Sequence, residues 1–344
     1  QKRLRIGFLT DKIHMHPVAH FVEPVIAGLN NEKAEVFLIG APARIDETTK
    51  AMESSADVLI DQTSMSFEAR QETIRAANLD VLISPSGQEE GSLLPLFSER
   101  LAPIQIVGFA AFSTTGVPNI DHFLADRFEI PKEHESFYSE NVLRMPEGYV
   151  TFRKPNGLPD IKYEKTDHIR FGCFNNLAKI CRRTVKVWSE MLNQEPNSTL
   201  RLINFSLNDK EVCANTLAQF EENGVDGARI QLVPPTSRIE LLENYNVIDV
   251  ALDPLHYSGG VTTLEALWMG VPVVTLPGMS FASRHSLSHL SVAKLIEYVA
   301  SSEGDYVEIA CHAAKHNIQL RQRIRESISQ SPTSDYRKYS EDFY

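Results

Sequence analysis

The sequence predicts an α/β protein built of two Rossmann-like, doubly wound lobes that face a central cleft. Three observations lead there. Short apolar runs alternate with helical stretches at the spacing of parallel β–α units, first between Leu4 and Ala125 and again from His168 onward. Pro146, Gly148, Pro155, Gly157 and Pro159 fall close together among charges, a linker composition that separates the two series. One stretch, Asp249 to Leu276, reads as strand, glycine loop, helix and strand, which sets a helix N-terminus over a place for a ligand. The expected organisation is a first lobe over residues 1–150, a linker over 151–167, a second lobe over 168–305 and a helical tail over 306–344 packing back on the first lobe.

In chain order, Leu4 to Thr10 is the first strand, followed by a helix with Val22, Val25, Ile26 and Leu29 on its apolar face. Glu35 to Ile39, Val58 to Ile60 and Val81 to Ile83 are further strands, with a charged helix from Ser66 to Ala77 before the last of these. Ile104 to Phe109 and Phe123 to Ala125 complete the first series. The second series runs through His168 to Phe174, Leu200 to Phe205, Ile230 to Val233 and Val250 to Leu252. A short helix from Val261 to Met269 ends at Gly270 and Pro272, and Val273 to Leu276 is the next strand. The tail puts Ile309, Ala313, Ile318 and Leu320 on its apolar positions.

Composition removes several function classes. The 344 residues are 42% hydrophobic, enough for two cores, and no apolar run is long enough to span a membrane. A net charge of −11 argues against general nucleic-acid binding. Cys173, Cys181, Cys213 and Cys311 are scattered without a metal-type pair, so neither zinc nor a disulfide framework is expected, and a reducing, cytoplasmic compartment fits. The start is no signal peptide, which favours a transferase of nucleotide sugars over a periplasmic-type binding protein among two-lobed folds. A chain that opens on Gln and enters a core strand almost at once is expected to be a piece of something longer.

The chemistry gathers where strands end. Gly259 and Gly260 permit a close approach of backbone to ligand, Val261 opens the helix, Thr262 and Thr263 add hydroxyls, and Glu265 sits a turn further in. An ordinary β–α connection has the same outline. Asn175, Asn176 and Lys179 follow the first strand of the second lobe, where a lysine can neutralise a diphosphate leaving group. His16 precedes Pro17 at a helix start after the first strand, as a base or a sugar-binding residue. His16 and His20 have metal-ligand spacing, but no cysteine or carboxylate motif joins them, and no Asp-x-Asp triplet occurs, so no metal is expected. Asp80, the Ser84–Gly91 loop with Gln88, and Thr114 and Thr115 are expected at strand ends on the acceptor side of the cleft.

These pieces resemble the catalytic region of the O-GlcNAc transferase and SPINDLY family of glycosyltransferases over nearly all of the chain. The resemblance rests on Arg5-Ile6-Gly7-Phe8, His16-Pro17-Val18-Ala19-His20-Phe21, Leu79 to Ile83 with Ser86-Gly87, Leu101 to Gln105, Ser113 to Gly116, Phe171-Gly172 with Phe174 to Ile180, and Asp249 to Val274, in family order. It implies a GT-B fold and an inverting, metal-independent transfer from a nucleotide sugar, UDP-GlcNAc first, to Ser or Thr of a protein acceptor. No cofactor beyond the donor is implied. Carried over, Lys179 meets the diphosphate, Val261 and Thr262 bind it, Glu265 holds the ribose, and His16 is the cleft histidine. Asn176, Thr236, Arg238, Gly259, Gly260 and Thr263 complete the implied donor set. Gly260, Leu241 and Gln88 stand where relatives carry other residues, His among them, and Glu265 replaces a commoner Asp as in the fucose-transferring branch. GDP-fucose or another donor, and a scaffold that binds nucleotide sugar without catalysis, therefore stand as alternatives. Tetratricopeptide repeats, usual ahead of this region, are not in the sequence.

Overall fold

The computed structural model describes residues 2–29, 32–88, 91–164, 166–235, 237–315 and 318–344. The chain forms two compact units, one of residues 1–153 with 332–344 and one of residues 154–331. The boundaries differ from those read in the sequence. Helices between 303 and 329 belong to the second unit, and the chain returns to the first at Pro332.

The first unit carries β1 (Leu4–Leu9), α1 (Pro17–Gly28), β2 (Ala34–Gly40), α2 (Glu47–Ser55), β3 (Val58–Asp61), α3 (Phe67–Ala76), β4 (Val81–Ser84), β5 (Ile104–Val107), β6 (His122–Ala125) and β7 (Asn141–Arg144). Its strands form one sheet in the order β3-β2-β1-β4-β5-β6-β7, with every pair parallel. Two faces covered by helices require near-continuous apolar strands, and Ile6, Phe8, Leu38, Leu82, Ile83, Val107 and Phe123 are all buried.

In the second unit lie β8 (Ile169–Cys173), α4 (Arg182–Gln194), β9 (Ser198–Ile203), α5 (Lys210–Glu221), β10 (Ile230–Val233), α6 (Arg238–Glu243), β11 (Val250–Leu252), α7 (Val261–Trp268), β12 (Val273–Val274), α8 (His285–Val292), α9 (Glu303–Ala313) and α10 (Ile318–Ser329). The parallel sheet runs β10-β9-β8-β11-β12. A last helix, α11 (Tyr336–Phe343), completes the first unit. In both sheets the strand order reverses beside the first strand of the unit. Ligands of open α/β sheets bind outside the C-terminal strand ends at that switch point. The loops after β1, β8 and β11 sit there.

Several elements depart from the sequence reading. The strand from Ile104 stops at Val107, because Phe109 takes φ +62°. β9 stops at Ile203; Asn204 then caps a turn and leaves Phe205 exposed. β12 ends at Val274, and Thr275 makes an isolated bridge to Val299. The buried face of the tail is Tyr306, Val307, Ala310 and Ala313 on α9 and Arg321, Ile324 and Ile328 on α10, a phase that does not use Ile309, Ile318 or Leu320. The missing cue is Arg321, a fully buried cation that counts as polar in any pattern.

Candidate functional site

The switch point of the second sheet assembles one polar cluster. β8 delivers Asn175 and the short turn Leu177–Lys179. Asn176 is exposed and caps that turn, accepting from Ala178 N at 3.0 Å, while its carbonyl accepts from Lys179 N. It thus places Lys179 through the backbone. The lysine ammonium donates to the Ser258 carbonyl at 2.8 Å and stands 3.9 Å from the centroid of the Tyr257 ring. Burial pulls its pKa down to about 8, against the raising effect of Asp253.

β11 ends at Leu252, and the chain loops from Asp253 to Gly260 before α7 begins. Asp253 is buried; its Oδ1 accepts from Gly259 N and its Oδ2 from the Thr275 hydroxyl, both at 2.7 Å. Gly259 is required by space. A Cβ there would lie 2.6 Å from Thr263 Oγ1 and 2.7 Å from Thr262 Oγ1. Gly260 is the N-cap of α7, and no side chain caps that end, so its first-turn amides and the helix dipole face outward for an anion. Hydroxyls are fixed around it. Thr262 donates to Asn175 Oδ1 at 2.9 Å, and Thr263 shares a 2.7 Å hydrogen bond with Ser286 of α8, whose backbone N–H donates to Ser258 Oγ.

Glu265 lies on the inner side of α7, 1% exposed, and pairs with Arg238 at 2.7 Å. Burial raises the Glu265 pKa and Arg238 opposes it. Both were expected to touch a donor separately; in this structure each holds the other. Tyr245 braces the same helix, donating to the Thr262 carbonyl at 3.0 Å and packing its ring at a tilt against Phe174. Thr236 lies outside the described residues. Sequence reasoning gave no role to Asp253, Tyr257, Ser258, Ser286 or His285. The retrievable signal was the loop length after β11, which must fold back over its own strand end.

In the first unit, His16 is the N-cap of α1, its Nδ1 accepting from Val18 N at 3.2 Å. With Nδ1 so used, the neutral ring carries its proton on Nε2. A cap position also removes the shared helix face expected for His16 and His20; His20 packs edge-on against Phe152. No group of His, Cys, Asp or Glu among the described residues is arranged to hold a metal ion. Asp80 does not join the strand-end loops. It precedes β4, where its carboxylate accepts from Arg5 N at 2.9 Å, at the opposite edge of the sheet. Gln88 donates to the Thr115 carbonyl at 2.7 Å, and the Thr114 hydroxyl donates to Glu140 at 2.6 Å. Thr115 donates to the same carboxylate through its amide and hydroxyl. Burial raises the Glu140 pKa, and these hydrogen bonds outweigh it, leaving it low. The threonine hydroxyls are therefore occupied in holding a buried carboxylate that sequence reasoning missed.

The model of glycosyl transferase family 41 matches residues 1–162 and 149–343. Over 352 residues the chain is 27% identical to a Petunia hybrida protein named "Probable UDP-N-acetylglucosamine--peptide N-acetylglucosaminyltransferase SPINDLY", covering 99% of this chain and 38% of that one. An Arabidopsis thaliana relative, named likewise but SEC, is 30% identical over 94% of this chain and 34% of its own length. The chain thus spans less than two fifths of either curated relative. Among solved structures, a Lys-to-Met mutant of the Thermobaculum terrenum O-GlcNAc transferase superposes with a TM-score of 0.94 at 33% identity, over 99% of this chain and 66% of that one. That match puts the two parallel-sheet units in the GT-B class.

Proposed function

The chain belongs to glycosyl transferase family 41, and we propose that it transfers GlcNAc from UDP-GlcNAc to Ser or Thr hydroxyls of a protein acceptor, with inversion and without a metal. The relatives named as UDP-N-acetylglucosamine–peptide transferases support the reaction class. The observation that carries it is the meeting of the Lys179 ammonium loop with the uncapped N-terminus of α7. In the proposed step the acceptor oxygen bonds to the anomeric carbon as the bond to the diphosphate breaks. The leaving diphosphate keeps the electron pair, and its charge meets Lys179 and the α7 amides, while the Thr262 and Thr263 hydroxyls hold the loop through Asn175 and Ser286. The acceptor proton passes to a base. His16 holds its Nδ1 in the cap of α1, so that nitrogen is not the base, and its place at the start of α1 suits it to positioning the acceptor.

Donor identity is the finer part of the reading. Glu265 stands where the resemblance places a commoner Asp, as in the fucose-transferring branch, which supports GDP-fucose as a second donor reading. A thermal-shift panel of UDP, GDP and CMP separates the two, since a nucleotide at about a hundredfold its Kd stabilises the fold by about 2.7 kcal/mol. Lys179→Ala is expected to remove the UDP shift and to cost about 3 kcal/mol or more in transfer, the scale of losing one preorganised donor. Transfer that survives Lys179→Ala nearly unchanged sinks the assignment. UDP binding with no transfer or donor hydrolysis supports the non-catalytic scaffold.

A further inference from the structure

The peptide unit joining Ser258 to Gly259 lies between two charged side chains. Its carbonyl accepts from Lys179 Nζ at 2.8 Å, and its N–H donates to Asp253 Oδ1 at 2.7 Å. A peptide group polarises along that axis, so an anion on its N–H side makes its carbonyl a better acceptor for the cation. Asp253 cannot turn away. Its second oxygen takes the Thr275 hydroxyl, and its main-chain carbonyl takes Tyr306 OH at 3.1 Å, which itself accepts from Trp188 Nε1 at 3.1 Å. Loop pinning alone does not need a charge there, because an amide oxygen accepts an N–H equally well and avoids burying an ion.

We infer that Asp253 is a positioning residue for Lys179: through the Ser258–Gly259 peptide it fixes the ammonium beside the N-terminus of α7, and it supplies the counter-charge that a buried cation needs. The inference rests on the proposed role of Lys179 toward the donor diphosphate. The other groups around Lys179 do not substitute for it. Cys173, at the end of β8, is a thiol pushed up to about 12 by burial and so is uncharged. Tyr257 presents its ring face. His285 of α8 is held neutral, its pKa driven well below the usual histidine range by burial, with Lys179 and His289 adding to the effect. His256, on the same loop, is exposed. The arrangement also turns the Gly259 N–H toward Asp253, which leaves the first-turn amides of α7 for the ligand.

The test is UDP affinity by calorimetry on the full chain across the alkaline range, for wild type, Asp253→Asn, Thr275→Val and Lys179→Met. Asp253→Asn is expected to weaken UDP binding about tenfold and to move its alkaline limb down by about half a pH unit or more, since a lost anion lowers the pKa of a neighbouring amine. Thr275→Val deletes a hydrogen bond to the same carboxylate and keeps the charge, so its limb stays with wild type. An Asp253→Asn protein with wild-type affinity and limb overturns the inference, and so does a Thr275→Val limb that moves as far as that of Asp253→Asn. Should Asp253→Asn not fold, competitive acetylation of wild-type Lys179 decides. An amine titrating at about 8 or above supports the counter-charge, and one titrating clearly below 8 overturns it. Lys179→Met that binds UDP as wild type does removes the donor reading instead, and acetylation of Lys179 in Asp253→Asn still reads the coupling by itself.

Discussion

His289 shows how burial at a single residue reaches the whole stability curve. It lies fully buried in α8, and burial drives its pKa down to about 3. In the unfolded chain a histidine titrates near 6.5, so between those values the unfolded state binds more protons. Stability therefore rises with pH through that window and is lost as pH falls from about 6.5 toward 3, at up to about 1.4 kcal/mol per pH unit for one group. His285 in the same helix is pushed the same way. His289→Gln is expected to remove about half of the combined slope, measured as urea unfolding free energies at pH 7 and pH 5. A variant that loses stability between those pH values as steeply as wild type shows that other groups govern acid unfolding. At this scale the sequence was legible where a side chain follows a strand end directly. Lys179, Gly259 and Thr262 sit where strand–loop–helix order puts them. Asp253 was not legible, because an acid at a strand end looks like a stop signal; its partners Thr275 and Gly259 become neighbours only once the loop closes.

The elements share one device that also explains the misplacement of Asp80. Just ahead of a strand, an aspartate accepts from the backbone N–H at the start of the adjacent strand. Asp57 does so to Val36, Asp80 to Arg5, Asp121 to Gln105 and Asp249 to Arg170, at 2.7 to 2.9 Å. These N–H groups lie at the N-terminal edge of a parallel sheet, and the carboxylates satisfy them and align neighbouring strands. Arg170 adds two side-chain hydrogen bonds to Asp249. Asp80→Asn is expected to cost about 1–3 kcal/mol of unfolding free energy, the range for a hydrogen bond to a charged acceptor. It should leave UDP affinity unchanged, because β4 holds Asp80 roughly 13 Å from the C-terminal edge at about 3.3 Å per residue. Calorimetry beside chemical denaturation checks both halves, and a lost UDP affinity with intact stability would return Asp80 to the site. Two of the elements not read in the sequence have little to bury. α2 buries only Thr49 and Met52, and β7 is a four-residue strand of alternate exposure at the sheet edge. For α2 the usable sign was its capping box, Asp46 with Thr49.

On the scale of the molecule, each unit closes with helices that come late in the chain. α10 closes the second unit. Arg321 donates to the Tyr245 carbonyl at 3.1 Å and to the Ile248 carbonyl, and the positive φ of Gly270 lets its backbone pass the Arg321 carbonyl, where a Cβ would come within 2.4 Å. The first unit is closed by residues 332–344. Tyr339 OH donates to the Tyr149 carbonyl at 2.6 Å, Ser340 donates to the Val25 carbonyl at 3.1 Å, and Phe343 meets the Phe109 ring at 5.7 Å. A Cβ on Gly28 would strike Ser340, so α1 and α11 touch at backbone range. The final aromatics were legible as a packing segment, whereas the change of unit at Pro332 was not, since no composition shift marks it. Deleting residues 332–344 should therefore act on one unit selectively. Uncovering α1 and losing the buried Tyr339 removes at least about 3 kcal/mol from the first unit, at roughly 1.5–3 kcal/mol per large side chain returned to water. Hydrogen exchange followed by mass spectrometry is expected to show α1 and β1 opening sooner in the truncated chain, with α7 and β11 protected as before and UDP raising protection around α7 to the same extent. Equal loss of protection in both units would mean that they unfold as one cooperative body, and the helical tail would then stabilise the molecule as a whole.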